Sequence, residues 1–105
     1  MIPDIDPDIT DPIRIDRLKA GDEEAFRELV EAYQVRVFNT CIGFVKNQED
    51  ADDLAQEVFI EVYESIGKFE ERASLPTWIY RIAVNKSLEF LRKRRRKKRG
   101  GFLQR

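Results

Sequence analysis

Histidine is absent from this 105-residue chain. Imidazole acid–base chemistry and histidine metal ligation are therefore excluded. A single cysteine, Cys41, rules out an internal disulfide and suits a reducing cytoplasm. Cys41 falls among apolar residues of an expected helix, where it reads as a small buried hydrophobe rather than a reactive thiol. No apolar run approaches the length of a membrane span, and the acidic N-terminus is unlike a signal peptide, so membrane insertion is not expected. The chain also lacks a glycine-rich phosphate loop and a nucleophile motif. Its many carboxylates have no partner base and no metal-ligand spacing, which argues against an enzyme and against a cofactor.

What is abundant is charge, and its placement matters more than its sum. The formal net charge is -1. From Met1 to Glu71 there are 7 Lys+Arg against 19 Asp+Glu, a net -12, whereas Arg72 to Arg105 carries 12 Lys+Arg and one acid, Glu89, a net +11. Such asymmetry calls for two partners of opposite sign: a basic surface for the first part and a polyanion for the second.

Helical periodicity runs through most of the chain, with no strand-period alternation, hairpin turn or internal repeat. Residues 1–11, where Ile alternates with Asp around two prolines, read as an irregular N-terminal arm. Thr10 or Asp11 can cap a short helix with Pro12 in its first turn, closed by Gly21. Asp22 caps a second helix with the apolar stripe Phe26, Leu29, Val30, Tyr33, Val37, Cys41, Phe44 and Val45. Asn47 caps a third helix, whose stripe is Ala51, Leu54, Ala55, Val58, Phe59, Val62 and Ile66, and which Gly67 ends. Residues 68–73 form the one longer loop.

The rest is organised around Ser74 to Arg99, SLPTWIYRIAVNKSLEFLRKRRRKKR. Ser74 is a natural N-cap, and Pro76 is tolerated in a first turn. Trp78, Ile79, Ile82, Ala83, Leu88 and Leu91 give the helix a face to bury, while Thr77, Arg81, Asn85, Glu89 and Arg92 recur along another. At 1.5 Å per residue it extends about 37 Å, so its all-basic end should project from the fold. The expected architecture is an all-α bundle of three substantial helices plus a short N-terminal one. The bundle domain covers 12–96, followed by a basic C-terminal tail over 97–105.

Two surfaces stand out. On the third helix Asp53, Gln56, Glu57, Ile60 and Glu64 share a face apart from the core stripe. A solvated acidic face is the ordinary explanation, but Ile60 sits among the acids and basic i,i+4 partners are nearly absent. An uncompensated acidic strip with an apolar centre fits a protein-docking surface. The unbroken basic run Arg92 to Arg99 could be a solvated tail, yet eight like charges gain most by meeting phosphates. Phe69, Arg72, Trp78, Tyr80, Arg81 and Asn85 lie nearby, and aromatic faces beside a cationic track hold single-stranded nucleic acid. Trp78 reads as buried and Tyr80 as exposed. Charge alone does not separate DNA from RNA.

The runs D-A-D-D-L-x-Q-E-x-F (50–59) and T-W-I-Y-R-I-A-x-N (77–85), in this order, resemble region 2 of the sigma factors of bacterial RNA polymerase, most closely the extracytoplasmic-function group. The resemblance covers about Leu18 to Arg96. It implies that the third helix docks on the clamp helices of the polymerase β′ subunit through Asp53, Gln56, Glu57 and Ile60. It further implies that the loop and the last helix bind the minus-ten promoter element on the non-template strand, capturing an unstacked base in a loop pocket. Phe69, Arg72, Ser74 and Thr77 would lie near that pocket, Lys68 opens the same loop, and Tyr80 is the exposed aromatic candidate for DNA contact. Asn85 and Glu89 would face base edges, and Arg81, Lys86, Arg92 and Arg95 would hold phosphates. Leu75-Pro76 departs from the aromatic and polar pair common in the family, and Glu89 stands where Asp is common. The region 4 helix-turn-helix is missing, so the chain reads as a fragment. An anti-sigma protein is an expected further partner. Two other readings stay open: a sequence-blind single-strand binder using the basic run, and a helical protein-interaction module.

Overall fold

Each of the three longer helices begins where the chain supplies a side-chain oxygen to its free N–H groups. The computed structural model describes residues 12–70 and 72–103, with side chains described over 15–70 and 72–97. Helices α1 (Pro12–Lys19), α2 (Glu23–Val45), α3 (Gln48–Ser65) and α4 (Leu75–Leu103) follow one another, with a 3₁₀ turn at Ile66–Lys68 after α3. Among the described residues there is no strand, and the all-α bundle is as expected. The arm at 1–11 and the cap at Thr10 or Asp11 lie outside the described residues.

Asp22 Oδ1 accepts from the N–H groups of Glu24 (2.9 Å) and Ala25 (3.3 Å). Asn47 Oδ1 accepts from Asp50 N–H at 2.8 Å, and Ser74 Oγ accepts from Thr77 N–H at 3.3 Å. All three are the caps that the sequence signals. Gly21, at φ 84°, closes α1 in the left-handed region that costs glycine least. The end of α2 manages without glycine: Lys46 adopts φ 61° and donates its N–H to the Ile42 carbonyl at 2.9 Å. Helix α3 tightens at its end into the 3₁₀ turn, so Gly67 lies inside that turn rather than beyond a clean stop. Helix α4 runs past both Arg99 and the expected domain edge at Arg96. Lys and Arg are good helix formers and carry the helix through 92–99, and Gly100 and Gly101 lie within it.

The core is built from stripes at helical spacing. Leu29, Tyr33, Val37, Cys41 and Val45 of α2 are buried, as are Ala51, Leu54, Val58 and Val62 of α3 and Leu75, Ile79, Ile82 and Ala83 of α4. Ile15 and Leu18 of α1 and Ile66 and Phe69 beyond α3 complete it. Each large aliphatic side chain so buried stabilises the fold by roughly 1.5–3 kcal/mol. Burial pushes the Cys41 thiol up, offset in part by the neighbouring Ser87 hydroxyl, so Cys41 is an inert core residue. One expected core position is corrected. Leu88 is 38% exposed while Ser87 is fully buried. Leu88 lies five residues on from Ala83, about 140° around a helix of 3.6 residues per turn. Ser87, four residues on from Ala83, keeps the buried side, and its small hydroxyl fits there.

Helices α3 and α4 run antiparallel. Glu61 late in α3 meets Lys86 midway along α4 at 3.2 Å, and Asp50 early in α3 meets Arg94 at 3.5 Å. At the other end of the bundle, Arg17 Nε donates to Asp22 Oδ2 at 3.0 Å and ties α1 to the α2 cap. That hydrogen bond, with the cap N–H groups, holds the Asp22 carboxyl below its usual range. A carboxyl lowered in the folded state adds stability above its unfolded pKa, near 3.9, and loses it as pH falls through the folded value. Asp22→Asn keeps a capping oxygen but removes the charge. The melting temperature of this variant should fall below that of the parent at pH 7, and the gap should close under acid conditions. Melting curves over a pH series check this; a gap that persists unchanged in acid contradicts it.

Candidate nucleic-acid and protein interfaces

The rotation of α4 is set by what it buries, and its opposite side is left to solvent. Thr77, Tyr80, Arg81, Asn85, Glu89, Arg92 and Arg95 are all exposed, Tyr80 at 57%. Steps of three, four and seven place most of them along one stripe of the helix. Trp78 is half-buried against the core, as expected of the partner that is not a base platform. The stripe thus combines an aromatic face, an amide and three guanidinium groups.

At the start of the stripe the loop at 68–74 is held from beneath. Phe69 is 4% exposed and its ring lies 5.0 Å from that of Trp78, at 44°. Lys19 of α1 covers the same ring, 6.0 Å from its centre. Phe69 therefore supports the loop from beneath. Ser74 is exposed, and its hydroxyl donates to Thr77 Oγ1 at 3.0 Å while accepting the helix N–H. Its first task is to start α4. Arg72 pairs with Glu70 at 3.0 Å, with both side chains largely in solvent. An exposed pair contributes about 0–1 kcal/mol, so the guanidinium stays available to a phosphate. Lys68 is exposed on the same loop.

Lys86 stands apart from the outward stripe. It lies nine positions from Thr77, about half a turn away around the helix, and its ammonium meets Glu61 in the seam with α3. It joins helices rather than lining the outward stripe. Arg94 has the same role: it bridges to Asp50 and lies over the Phe90 ring at 5.3 Å.

On α3, Asp53, Gln56, Glu57, Ile60 and Glu64 are all exposed, and Ile60 at 56% is among the most exposed large apolar residues. Among the described residues none of Asp53, Glu57 and Glu64 forms an ion pair, whereas Asp50 and Glu61, on the α4 side, do. The seam uses the acids that face it and leaves the outer strip uncompensated. Two features beside these faces escaped the sequence. Val35 of α2, 66% exposed, and Phe38 line a shallow groove of about 400 Å³ shared with Asp52 and Gln56 of α3. A larger groove, about 660 Å³, separates α2 from the first half of α4 and brings Arg36, Asn39 and Thr40 opposite Thr77 and Tyr80. These α2 residues lie off its buried stripe, and the one available signal was Val35, apolar where a solvated face is usually polar.

No described group of three Cys, Asp or Glu residues can hold a metal ion. No described helix is long and apolar enough to cross a membrane.

Comparison with known proteins gives a consistent picture. The chain is 37% identical over 82 residues to the ECF RNA polymerase sigma factor SigW of Bacillus subtilis, covering 78% of this chain and 44% of that protein. Its fold is similar to that of an engineered region 2 of sigmaE in complex with GTAAAA, with TM-score 0.76, 33% identity and coverage of 89% of this chain and 97% of the other. It is also similar to CnrH, solved in complex with the cytosolic domain of CnrY, with TM-score 0.69, 25% identity and coverage of 76% and 52%. The chain spans less than half the length of the curated relatives it matches. The Sigma-70 region 2 family matches residues 29–97, two-thirds of the sequence and all of the helical faces just described, and this chain belongs to that family.

Proposed function

We propose that this chain is the promoter-recognition domain of an extracytoplasmic-function sigma factor, a non-catalytic subunit that gives cytoplasmic RNA polymerase its promoter specificity. The observation that carries the reading is the pair of exposed faces of opposite character on adjacent helices. The α3 strip, Asp53, Gln56, Glu57 and Ile60, docks on the β′ clamp helices. The α4 stripe and the preceding loop bind the non-template strand of the minus-ten element. An anti-sigma protein would silence the factor by covering one of these faces.

The physical logic is a division of contacts. Flipping a base from the stack costs a few kcal/mol. Arg81, Arg92 and Arg95 offset part of that cost by neutralising phosphates, which carries no sequence information. Thr77, Asn85 and Glu89 meet base edges, where hydrogen bonds discriminate. Tyr80 offers a ring on which a base stacks.

Asn85→Ala should lower discrimination among minus-ten sequences about tenfold, within the range for a base-edge contact, while total affinity for single strands changes much less. Anisotropy measurements with matched and scrambled strands read both quantities; unchanged discrimination would assign the chain to sequence-blind strand binding instead. Arg92→Gln should weaken binding to every strand alike and reduce the slope of log affinity against log salt by about one. A salt titration of parent and variant checks it, and an unaltered slope removes Arg92 from the phosphate contacts. On the other face, Asp53→Lys with Glu57→Lys should weaken binding to core polymerase more than tenfold, because like charges then meet across the interface. Undiminished binding in a polymerase pull-down would show that α3 is not the docking helix.

A further inference from the structure

The groove between α2 and α4 opens beside the outward stripe, and its lining is specific in kind. Val37, Ile79 and Ala83 form an apolar floor, while Arg36, Asn39 and Thr40 of α2 and Tyr80 of α4 supply polar and aromatic walls. We propose that this groove receives one unstacked nucleobase of the strand bound along α4, making α2 a second reading element. The proposal rests on the promoter reading above and adds a base site distinct from the loop at 68–74.

Four observations support it. The volume, about 660 Å³, leaves ample room for one base and falls within the ~300–1,000 Å³ of small-molecule sites. An apolar floor with polar walls matches a base, which has a π-face on each side and hydrogen-bonding groups around its edge. No carboxylate lines the groove, although the chain carries 20 Asp+Glu; the groove between α2 and α3, by contrast, includes Asp52. A strand of phosphates is therefore admitted here and disfavoured there. Finally, Thr77 and Tyr80 belong both to the groove and to the exposed stripe, so a strand lying on α4 passes the groove's mouth.

The walls are also ordered. The Arg36 guanidinium lies over the Tyr33 ring, 4.7 Å from its centre. The Thr40 hydroxyl donates to the Arg36 carbonyl at 3.0 Å, which leaves its oxygen free to accept from a base amino group. The exposed Asn39 amide can both donate and accept, as an adenine or cytosine edge requires. Tyr80 can stack on the same base from the α4 side.

The test uses the chain as it stands and the single-stranded deoxyhexamer GTAAAA, together with versions carrying one abasic residue at each position in turn. Asn39→Ala, an exposed substitution whose folding is checked by thermal melting, should weaken binding to the intact strand about fivefold, the worth of one hydrogen bond. That loss should vanish against the strand whose abasic residue falls at the groove, and persist against the others. Tyr80→Ala should show the same positional pattern with about a tenfold loss, as for a stacked base. If Asn39→Ala binds every strand as the parent does, or weakens all of them equally, the groove holds no base. Asn85→Ala separates the two readings. Lowered discrimination between GTAAAA and a scrambled strand by Asn85→Ala beside an inert Asn39→Ala overturns the groove and leaves the promoter reading intact, whereas failure of the parent to bind any strand overturns both.

Discussion

The burial of Leu75, Ile79, Ile82 and Ala83 against α2 and α3 is the constraint on which the rest depends. Those four side chains fix the rotation of α4 about its own axis. Once they point inward, geometry forces Thr77, Arg81, Asn85 and Arg92 outward, because residues three and four apart share a side. A single large-to-small change in such a core costs about 2–5 kcal/mol, a large share of a small domain's stability. Local rearrangement of the outward stripe is thus opposed by the whole core. A surface that must meet an unstacked strand in one register gains from such rigid mounting, since little ordering entropy remains to be lost on binding.

Charge then sorts the exposed surface. The chain is nearly neutral in sum, yet α3 carries acids and no Lys or Arg, whereas α4 is basic apart from Glu89. The seam between α3 and α4 joins them only at Lys86–Glu61 and Arg94–Asp50 among the described residues. These pairs follow the antiparallel register that the core packing sets and engage the cations that face the seam. What remains outside is unbalanced on both sides: carboxylates on α3, guanidinium groups on α4. Unbalanced charge is poor for stability but good for steering partners of opposite sign to separate places.

Much of this was legible in the sequence, and the exceptions share a cause. Helix starts at Asp22, Asn47 and Ser74 could be read because capping is local. The α3 strip and the α4 stripe could be read because each lies on one helix with a fixed period. Leu88 and Ser87 exchanged places because hydrophobicity alone ranks leucine inside, while helix phase places it outside. The seating of Phe69 beneath the loop could not be read, because nothing in the sequence says that Trp78 and Lys19 close over it. The pairing of Lys86 with Glu61 could not be read because the two are 25 residues apart in sequence. The share of α2 in both grooves was invisible for the same reason: Arg36, Asn39 and Val35 acquire meaning only when other helices are laid against them. Family resemblance conveyed the role of two motifs but not these juxtapositions.

The central claim is that two partners are held by two independent faces of one rigid bundle. Amide chemical-shift mapping tests it most directly. The ¹⁵N-labelled chain would be titrated with a single-stranded minus-ten oligomer, with an isolated β′ clamp-helix pair, and then with both together. Shifts confined to α4, its preceding loop and the facing side of α2 for the oligomer, and to the outer side of α3 for the clamp pair, with both bound at once, are the predicted result. Competition between the two ligands, or a common set of shifted amides, would contradict the account.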